Sequence, residues 1–351
     1  MSARDDSHEN GQSSYDKCRC EQMVLSTRIR LARNFEDMPF TSRLNPQQAG
    51  EVVDRAASAI AKSPMSNDFS LIFLKSNTPT ENNALVEKHL VSPDLLKHVD
   101  RGAVLLSKEK NISIMLCEED HLRIQAIMDG CELDKAYALA SQADDYIAQS
   151  ERYAYSEKYG FLTACPTNVG TGMRASFMVH LPTLTMLGQV EAIGQAVGRL
   201  GMTVRGFYGE GSRAFGSIYQ ISNQVTLGRS EKETLRALEE VAMQVIEKEQ
   251  NARDMLLEHN EIQIRDKLLR SYGILRYAHK LGSQELLQLW SDVRLGVSLG
   301  IIDDIDTKTA DSLLLLQPAE LIQRAKKEMT AGQRDIFRAE CAKLILSGKS
   351  D

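Results

Sequence analysis

The densest chemistry in the chain lies between Cys165 and Met178, where CPTNVGTGMRASFM joins a cysteine, a glycine-rich turn and an arginine to an apolar run. Gly170 and Gly172 would let backbone amides approach an anion with no Cβ between, Pro166 and Asn168 favour a turn, and Arg174 offers a fixed fork of donors suited to phosphate. The same glycines with Ala175 fit the dinucleotide pattern G-x-G-x-x-A, but that pattern must open a helix. Here ASFMVHLPTL, apolar and closed by Pro182, reads as a strand, so nicotinamide binding by this route is rejected. A second cationic stretch is MVLSTRIRL, residues 23–31, in which alternation puts Leu25, Thr27 and Ile29 on one face and Ser26, Arg28 and Arg30 on the other. Two guanidinium groups in register suit a polyphosphate, although an edge strand charged against aggregation would carry the same residues. A third is CEEDHLRIQ, residues 117–125, with three carboxylates, a histidine and an arginine after an apolar strand. Carboxylates so crowded raise one another's pKa unless cations compensate them, and a solvated loop is the alternative reading. Last, Arg205 and Glu210 flank a glycine-containing loop, either an ordinary hairpin turn or a lid over substrate.

These stretches need a frame, and the chain is long enough for one large domain and a smaller one, with 42% hydrophobic residues to fill the cores. The net charge of −6 disfavours nucleic acid as a partner, so clustered arginines require a local explanation. No apolar run reaches the roughly 20 residues of a membrane span and the N-terminus carries no apolar signal core, which points to the cytoplasm. Six irregularly spaced cysteines point to reduced thiols, and Cys18 and Cys20 are too isolated for a zinc site.

Residues 1–20 read as a polar, disordered tail. Periodicity predicts a helix over 46–62, a buried strand over 69–74, strands over 104–106 and 112–116, and more sheet from Leu122. His89, in a polar stretch ahead of Pro93, reads by itself as a surface or capping residue. Helices follow over 132–159 and 187–200, then strands from Val204 and over 215–227. From Ser230 long helical runs replace strands, placing a boundary near 255.

Taken together, STRIR (26–30), EEDHLRIQ (118–125), CPTNVGTGMRAS (165–176), RGFYGEG (205–211) and QISNQVTLG (220–228) resemble, in order and spacing, the phosphagen (guanidino) kinase family. The similarity is greatest to its protein-directed branch, the bacterial protein arginine kinases. Metabolite-directed members carry a helical domain ahead of the first motif, whereas here a helical region follows the core and includes Arg334-Asp335-Ile336-Phe337-Arg338-Ala339, similar to that branch's phosphoarginine-binding motif. Cys117 stands where the family usually has Asn, and Arg213 where it commonly has an acidic or neutral residue.

The resemblance implies an α+β fold, a twisted and mainly antiparallel sheet with flanking helices like the glutamine synthetase catalytic domain, over 21–255, then a helical C-terminal domain over 256–351. It implies transfer of the ATP γ-phosphoryl group, with Mg²⁺, to arginine side chains of proteins, marking them for regulated degradation. The alternatives are a kinase of a free guanidino metabolite such as arginine, and an inactive phosphoarginine-binding adaptor. Residues implied at ATP are Ser26, Thr27, Arg28, Ile29, Arg30, His89, Arg123, Arg174, Ala175, Ser176, Phe177, Met178, Arg205, Gly206, Phe207, Tyr208, Gly209 and Glu210. Glu119 and Glu210 would clamp and deprotonate the acceptor guanidinium, with Cys165 beside it as a thiolate favoured by the arginines and not as a covalent nucleophile. No protein metal ligand is implied. Implied partners are protein substrates, a zinc-binding activator and a Clp-type protease, with a homodimer or higher oligomer the expected assembly. On a helix Arg334 and Arg338 would share a face and reach one phosphate, with Asp335 meeting the guanidinium.

Overall fold

The computed structural model describes Cys20, residues 22–206 and residues 214–348. The chain enters β1 (Val24–Arg33), then α1 (Pro46–Ala61), β2 (Phe69–Phe73), α2 (Pro79–Glu87), β3 (Ala103–Ser107), β4 (Ile112–Leu116) and β5 (Leu122–Asp129). Next come α3 (Leu133–Ala148), a small hairpin of β6 (Tyr155–Ser156) and β7 (Gly160–Phe161), β8 (Met173–His180), α4 (Pro182–Met186), α5 (Val190–Gly198), β9 (Met202–Gly206) and β10 (Ile218–Asn223). The rest is helical: α6 (Glu231–Tyr277), α7 (Ser283–Ser298), α8 (Thr307–Ser312), α9 (Pro318–Ala325) and α10 (Ala331–Leu346). Local chemistry starts several of these helices, since Asn45, Thr78 and Ser230 each form a reciprocal capping box with the residue three positions on.

Eight strands form one sheet in the order β2-β3-β4-β5-β1-β8-β10-β9, every neighbouring pair antiparallel. The arginine-bearing strand β1 is therefore central, which removes the edge-strand reading of Arg28 and Arg30. One face of the sheet, with Ile29, Leu31, Ile124, Ala175 and Phe177, is covered by apolar residues of α1, α3 and the first half of α6. On the opposite face Met178 and Ile218 pack with Leu286, Trp290 and Val293 into a second core built by the C-terminal helices. The middle of that opposite face is left for the polar residues between.

Several expectations are corrected. Leu25 packs against the C-terminal core and not with Ile29, because the β1–β8 register shifts between Val24 and Ser26. The helix expected to 159 ends at Ala148, where the apolar stripe ends and Arg152 and Tyr153 turn their backbones to Glu36 and Phe35. Gly188, at φ 65, divides the helix expected over 187–200. The strand expected over 215–227 is confined to β10, with Gly216 at φ 67 preceding it. Cys20 and Cys131 form a disulfide, against the expectation of reduced thiols throughout, while Cys117 and Cys165 are free. The position near 255 lies within helix α6, whose two arms meet at a kink at Asn260 (φ −138, ψ 30).

Candidate active site

Strand pairing assembles the cations. Arg30 on β1 lies opposite Arg174 on β8 and Gln125 on β5, and Ala32 opposite Arg123, so three guanidinium groups from three adjacent strands share one face. Arg205 on β9 joins them across β10, where it lies opposite Gln220. Together with Glu119, Cys165, Thr167, Asn168 and Gly172 these arginines line a cavity of about 430 Å³. A larger cavity of about 660 Å³ between α5 and α6 is walled by Ile193, Val197, Val241 and Val245, and among the described residues no arginine or carboxylate lines it. The smaller cavity is thus the one with chemistry.

The fold holds like charges close together. Burial and the charges of Arg28, Arg123 and Arg174 pull Arg30 down to about 9, so it remains a cation at neutral pH. Its Nε is buried and has no hydrogen-bond partner among the described residues. Arg174 is depressed as well, by burial first and by Arg205 next. Such a cluster is costly in an empty site and complementary to a polyanion in a filled one.

Neighbouring side chains fix where Arg174 and Arg123 point. Arg174 donates from Nε to Asn168 Oδ1 at 3.0 Å and from a terminal nitrogen to Thr167 Oγ1 at 3.1 Å. Asn223 accepts from the Ala175 amide at 2.8 Å and donates to the Met173 carbonyl at 3.0 Å, tying β8 to β10 on either side of Arg174. Arg123 donates to Glu118 Oε1 at 2.5 Å and to Glu119 Oε2 at 3.4 Å. Glu118 is buried and also accepts from the Ser92 hydroxyl. Sequence reasoning missed Ser92, Asn168 and Asn223 as supports and gave Glu118 no role of its own, because no local pattern signals a partner many residues away.

The three neighbouring carboxylates divide their work. Glu118 is committed to Arg123 and Ser92, and Asp120, buried, accepts from Asn34 Nδ2 and the Ala164 amide, both at 2.7 Å. Asp120 thereby holds the segment that delivers Cys165. Only Glu119 is exposed and lines the cavity, and burial with the nearby Asp120 raises its pKa, which makes it the better proton acceptor of an ordinary carboxylate pair. His121 is structural: Nδ1 accepts from the Phe35 amide at 3.0 Å and Nε2 donates to the Pro39 carbonyl at 2.8 Å, a neutral tautomer that burial favours. Cys165 Sγ sits 3.0 Å from Thr167 Oγ1 at the cavity wall.

Other expected site residues fall elsewhere. Thr27, Ile29, Ala175 and Phe177 are buried on the helix-covered face or beneath it, so their side chains do not reach the cavity, and Met178 belongs to the C-terminal core. Ser26, Arg28 and Ser176 share the arginine face, since Arg28 lies opposite Ser176. His89 is close to Arg28, and burial followed by that charge pulls its imidazole down to about 4. Gly206 ends β9, whereas Phe207, Tyr208, Gly209, Glu210 and Arg213 lie outside the described residues. The glycine-rich turn is not an anion cradle through Gly170, whose amide donates to the Phe161 carbonyl at 3.3 Å. A Cβ on Gly170 would collide with the Thr226 carbonyl, so this glycine serves close backbone packing. Cys117 occupies φ 60, a region in which Asn is at ease and a cysteine is not, and burial pushes its thiol up to about 11.

In the C-terminal helices, Arg334 to Ala339 lie in α10. Arg338 is buried and donates to the carbonyls of Leu316 (3.0 Å) and Leu281 (2.7 Å) and to Asp335 Oδ1 (2.8 Å), so it is not presented beside Arg334 for a shared phosphate as expected. Arg334 is half-buried and donates to the Met329 carbonyl at 2.8 Å.

Residues 51–252 match the family model for the ATP:guanido phosphotransferase C-terminal catalytic domain, and residues 261–350 that for the protein-arginine kinase McsB C-terminal domain. A protein-arginine kinase of Caldanaerobacter subterraneus subsp. tengcongensis is 46% identical over 338 residues, covering 95% of this chain and 99% of its own. One of Bacillus subtilis is 43% identical over 320 residues, covering 90% and 88%. Among solved structures, a lombricine kinase superposes with a TM-score of 0.59 at 27% identity, covering 66% of this chain and 67% of its own.

Proposed function

The chain belongs to the ATP:guanido phosphotransferase family and is a protein-arginine kinase, and on that premise we propose how its own residues carry the reaction. Arg28, Arg30, Arg123, Arg174 and Arg205 bind the phosphates of ATP, Ser26 and Ser176 lie beside them, and His89 contacts the nucleotide. The observation that carries this reading is one cavity that sets Arg30, Arg123, Arg174 and Arg205 against Glu119, the one carboxylate that lines it among the described residues. Phosphoryl transfer is chiefly positioning and charge stabilisation, and four clustered guanidinium groups, two of them held by neighbouring side chains, supply both.

The acceptor guanidinium is a cation and no nucleophile until it loses a proton. Glu119, with Glu210 as its expected partner, binds it and receives a proton from the attacking nitrogen. The nitrogen–phosphorus bond forms as the bond from the γ-phosphorus to the ADP oxygen breaks. Cys165 stands beside the acceptor.

Among the described residues no three His, Cys, Asp or Glu converge on a metal. The cavity fits a Mg²⁺ that enters with the nucleotide, because Mg²⁺ is commonly held by substrate phosphates, waters and one or two carboxylates. When bound it neutralises phosphate charge. The wider reading includes a domain boundary near 255, marking of proteins for degradation, a zinc-binding activator, a Clp-type protease, a cytoplasmic location and a dimer or higher oligomer. The family branch supports it. No described helix is long and apolar enough to cross a membrane.

We further read Arg334 and Asp335 as contacts for phosphoarginine, with Arg338 holding Asp335 in place within the motif through Ala339. Incubation with Mg-ATP and a protein substrate, followed by mass spectrometry for acid-labile phosphoarginine, tests the catalytic reading. Phosphoarginine on the protein and none on free arginine is expected; turnover of the free amino acid in place of the protein overturns it.

A further inference from the structure

The residues just ahead of the nucleotide-side histidine are held by the C-terminal helices. Glu87 ends α2, where the carbonyl end of a helix disfavours an anion. Its carboxylate is used across the molecule: Oε1 accepts from the Ala319 amide and Oε2 from the Glu320 amide, each at 2.9 Å. Pro318 opens α9 and has no N–H, so these two are the first amides that helix offers. The local penalty at α2 is thus compensated by the positive end of a helix more than two hundred positions away in sequence.

The next residue repeats the connection. Lys88 Nζ lies 2.6 Å from Glu320 Oε2, a charge contact and not an aligned hydrogen bond. His89 follows at φ 59, in the left-handed region where a residue with a Cβ carries backbone strain that its surroundings must offset. Gln125 Nε2 donates to the His89 carbonyl at 2.8 Å from one side, and the Glu87–Lys88 junction with α9 fixes the chain on the other. Gln125 also lies opposite Arg30 in the sheet.

We propose that Glu87, aided by Lys88, is a positioning residue for the nucleotide site, acting through His89, and that α9 is by this junction a working part of that site. The inference rests on the reading of His89 as a nucleotide contact. It assigns a role in the kinase reaction to a helix that lies outside the segment matching the catalytic family model.

The test uses the full chain with Mg-ATP and a protein substrate, measuring KM for ATP and kcat, and ATP binding directly by calorimetry. Glu87→Ala should raise KM for ATP at least about fivefold, the lower end of inter-site coupling, while kcat at saturating ATP holds. The Glu87→Ala, His89→Ala double variant should bind ATP no more weakly than His89→Ala alone, because the two act in series. Should Glu87→Ala fail to fold, Lys88→Glu should raise KM for ATP and a second change, Glu320→Lys, should restore it; no restoration overturns the proposal. Unchanged KM in folded Glu87→Ala, beside a raised KM in His89→Ala, overturns the inference alone, as do losses that add. Unchanged KM and unchanged ATP binding in His89→Ala overturn the nucleotide role of His89 and the inference with it.

Discussion

Glu118 and Glu119 are neighbours in sequence, yet replacing each by glutamine should have opposite consequences. The Glu118 side chain is 1% exposed and holds Arg123, itself 16% exposed, at 2.5 Å. Glutamine preserves the volume and an acceptor but removes the buried anion from a half-buried guanidinium, a change for which the cost of breaking a fully buried pair, about 3–5 kcal/mol, is the upper range. Because Arg123 keeps a second, longer contact to Glu119 at 3.4 Å, the low end, about 3 kcal/mol, applies. Glu119 is 42% exposed, and an exposed pair is worth about 0–1 kcal/mol, so Glu119→Gln should leave stability nearly unchanged. As the proposed clamp and base it should lose at least about 10²-fold in kcat. Denaturant unfolding of both variants without nucleotide, with phosphoarginine formation on the same preparations, gives the four numbers needed. A Glu118→Gln unfolding free energy equal to the parent's, or a Glu119→Gln enzyme at parental rate, would refute the division of labour drawn from burial and distance.

Three further outcomes are expected. Burial first, then the charge of Arg28, holds the His89 imidazole at about 4, against about 6.5 in an unfolded chain, so its contribution to stability is complete above pH 6.5 and is lost as pH falls toward about 4. Unfolding free energy should therefore drop from pH 7 to pH 5, less steeply in His89→Gln; parallel curves for the two proteins would contradict this. Gly170→Ala, at φ 118 and facing the Thr226 carbonyl, should cost more than about 2 kcal/mol, whereas Gly130→Ala, at φ 67 with nothing within 4 Å, should cost only the backbone strain of about 1 kcal/mol. Equal thermal shifts in the two would refute the packing role. Arg338→Ala should destabilise the C-terminal helices by about 2–4 kcal/mol because it leaves the buried carbonyls of Leu316 and Leu281 unpaired and removes the partner of half-buried Asp335 Oδ1, while Arg334→Ala should weaken phosphoarginine binding in calorimetry at parental stability.

What the sequence made legible was what alternation can carry. Arg28 and Arg30 on one face, Arg123 and Gln125 on another strand's matching face, and Arg174 at the head of an apolar strand all follow from the two-residue period of a strand, and pairing brought them together. The period fails at Leu25, where a shift in register rotates one side chain to the far core. Long-range partners left no trace: the Cys20–Cys131 bond, Asn34 on Asp120 and Asn223 on β8 join residues that no window of sequence contains. The six residues of the Arg334–Ala339 motif suggested a presented phosphate site, but which arginine is presented depends on carbonyls supplied by Leu281 and Leu316.

Helix α6 belongs to both cores at once: Leu238 and Val245 pack under the sheet, and Tyr272 and Leu275 pack with Trp290. Its 47 residues are two helical arms that meet at a kink at Asn260. A cut at 255 would fall inside the first arm, just ahead of that kink. A tilt of about 10° at Asn260 would carry the tip of the arm from there to Tyr277, about 26 Å long, by roughly 4–5 Å. One residue out of helical geometry can thereby translate an angular change into a shift of the Trp290 core against Met178, on the face of the sheet where the arginines stand.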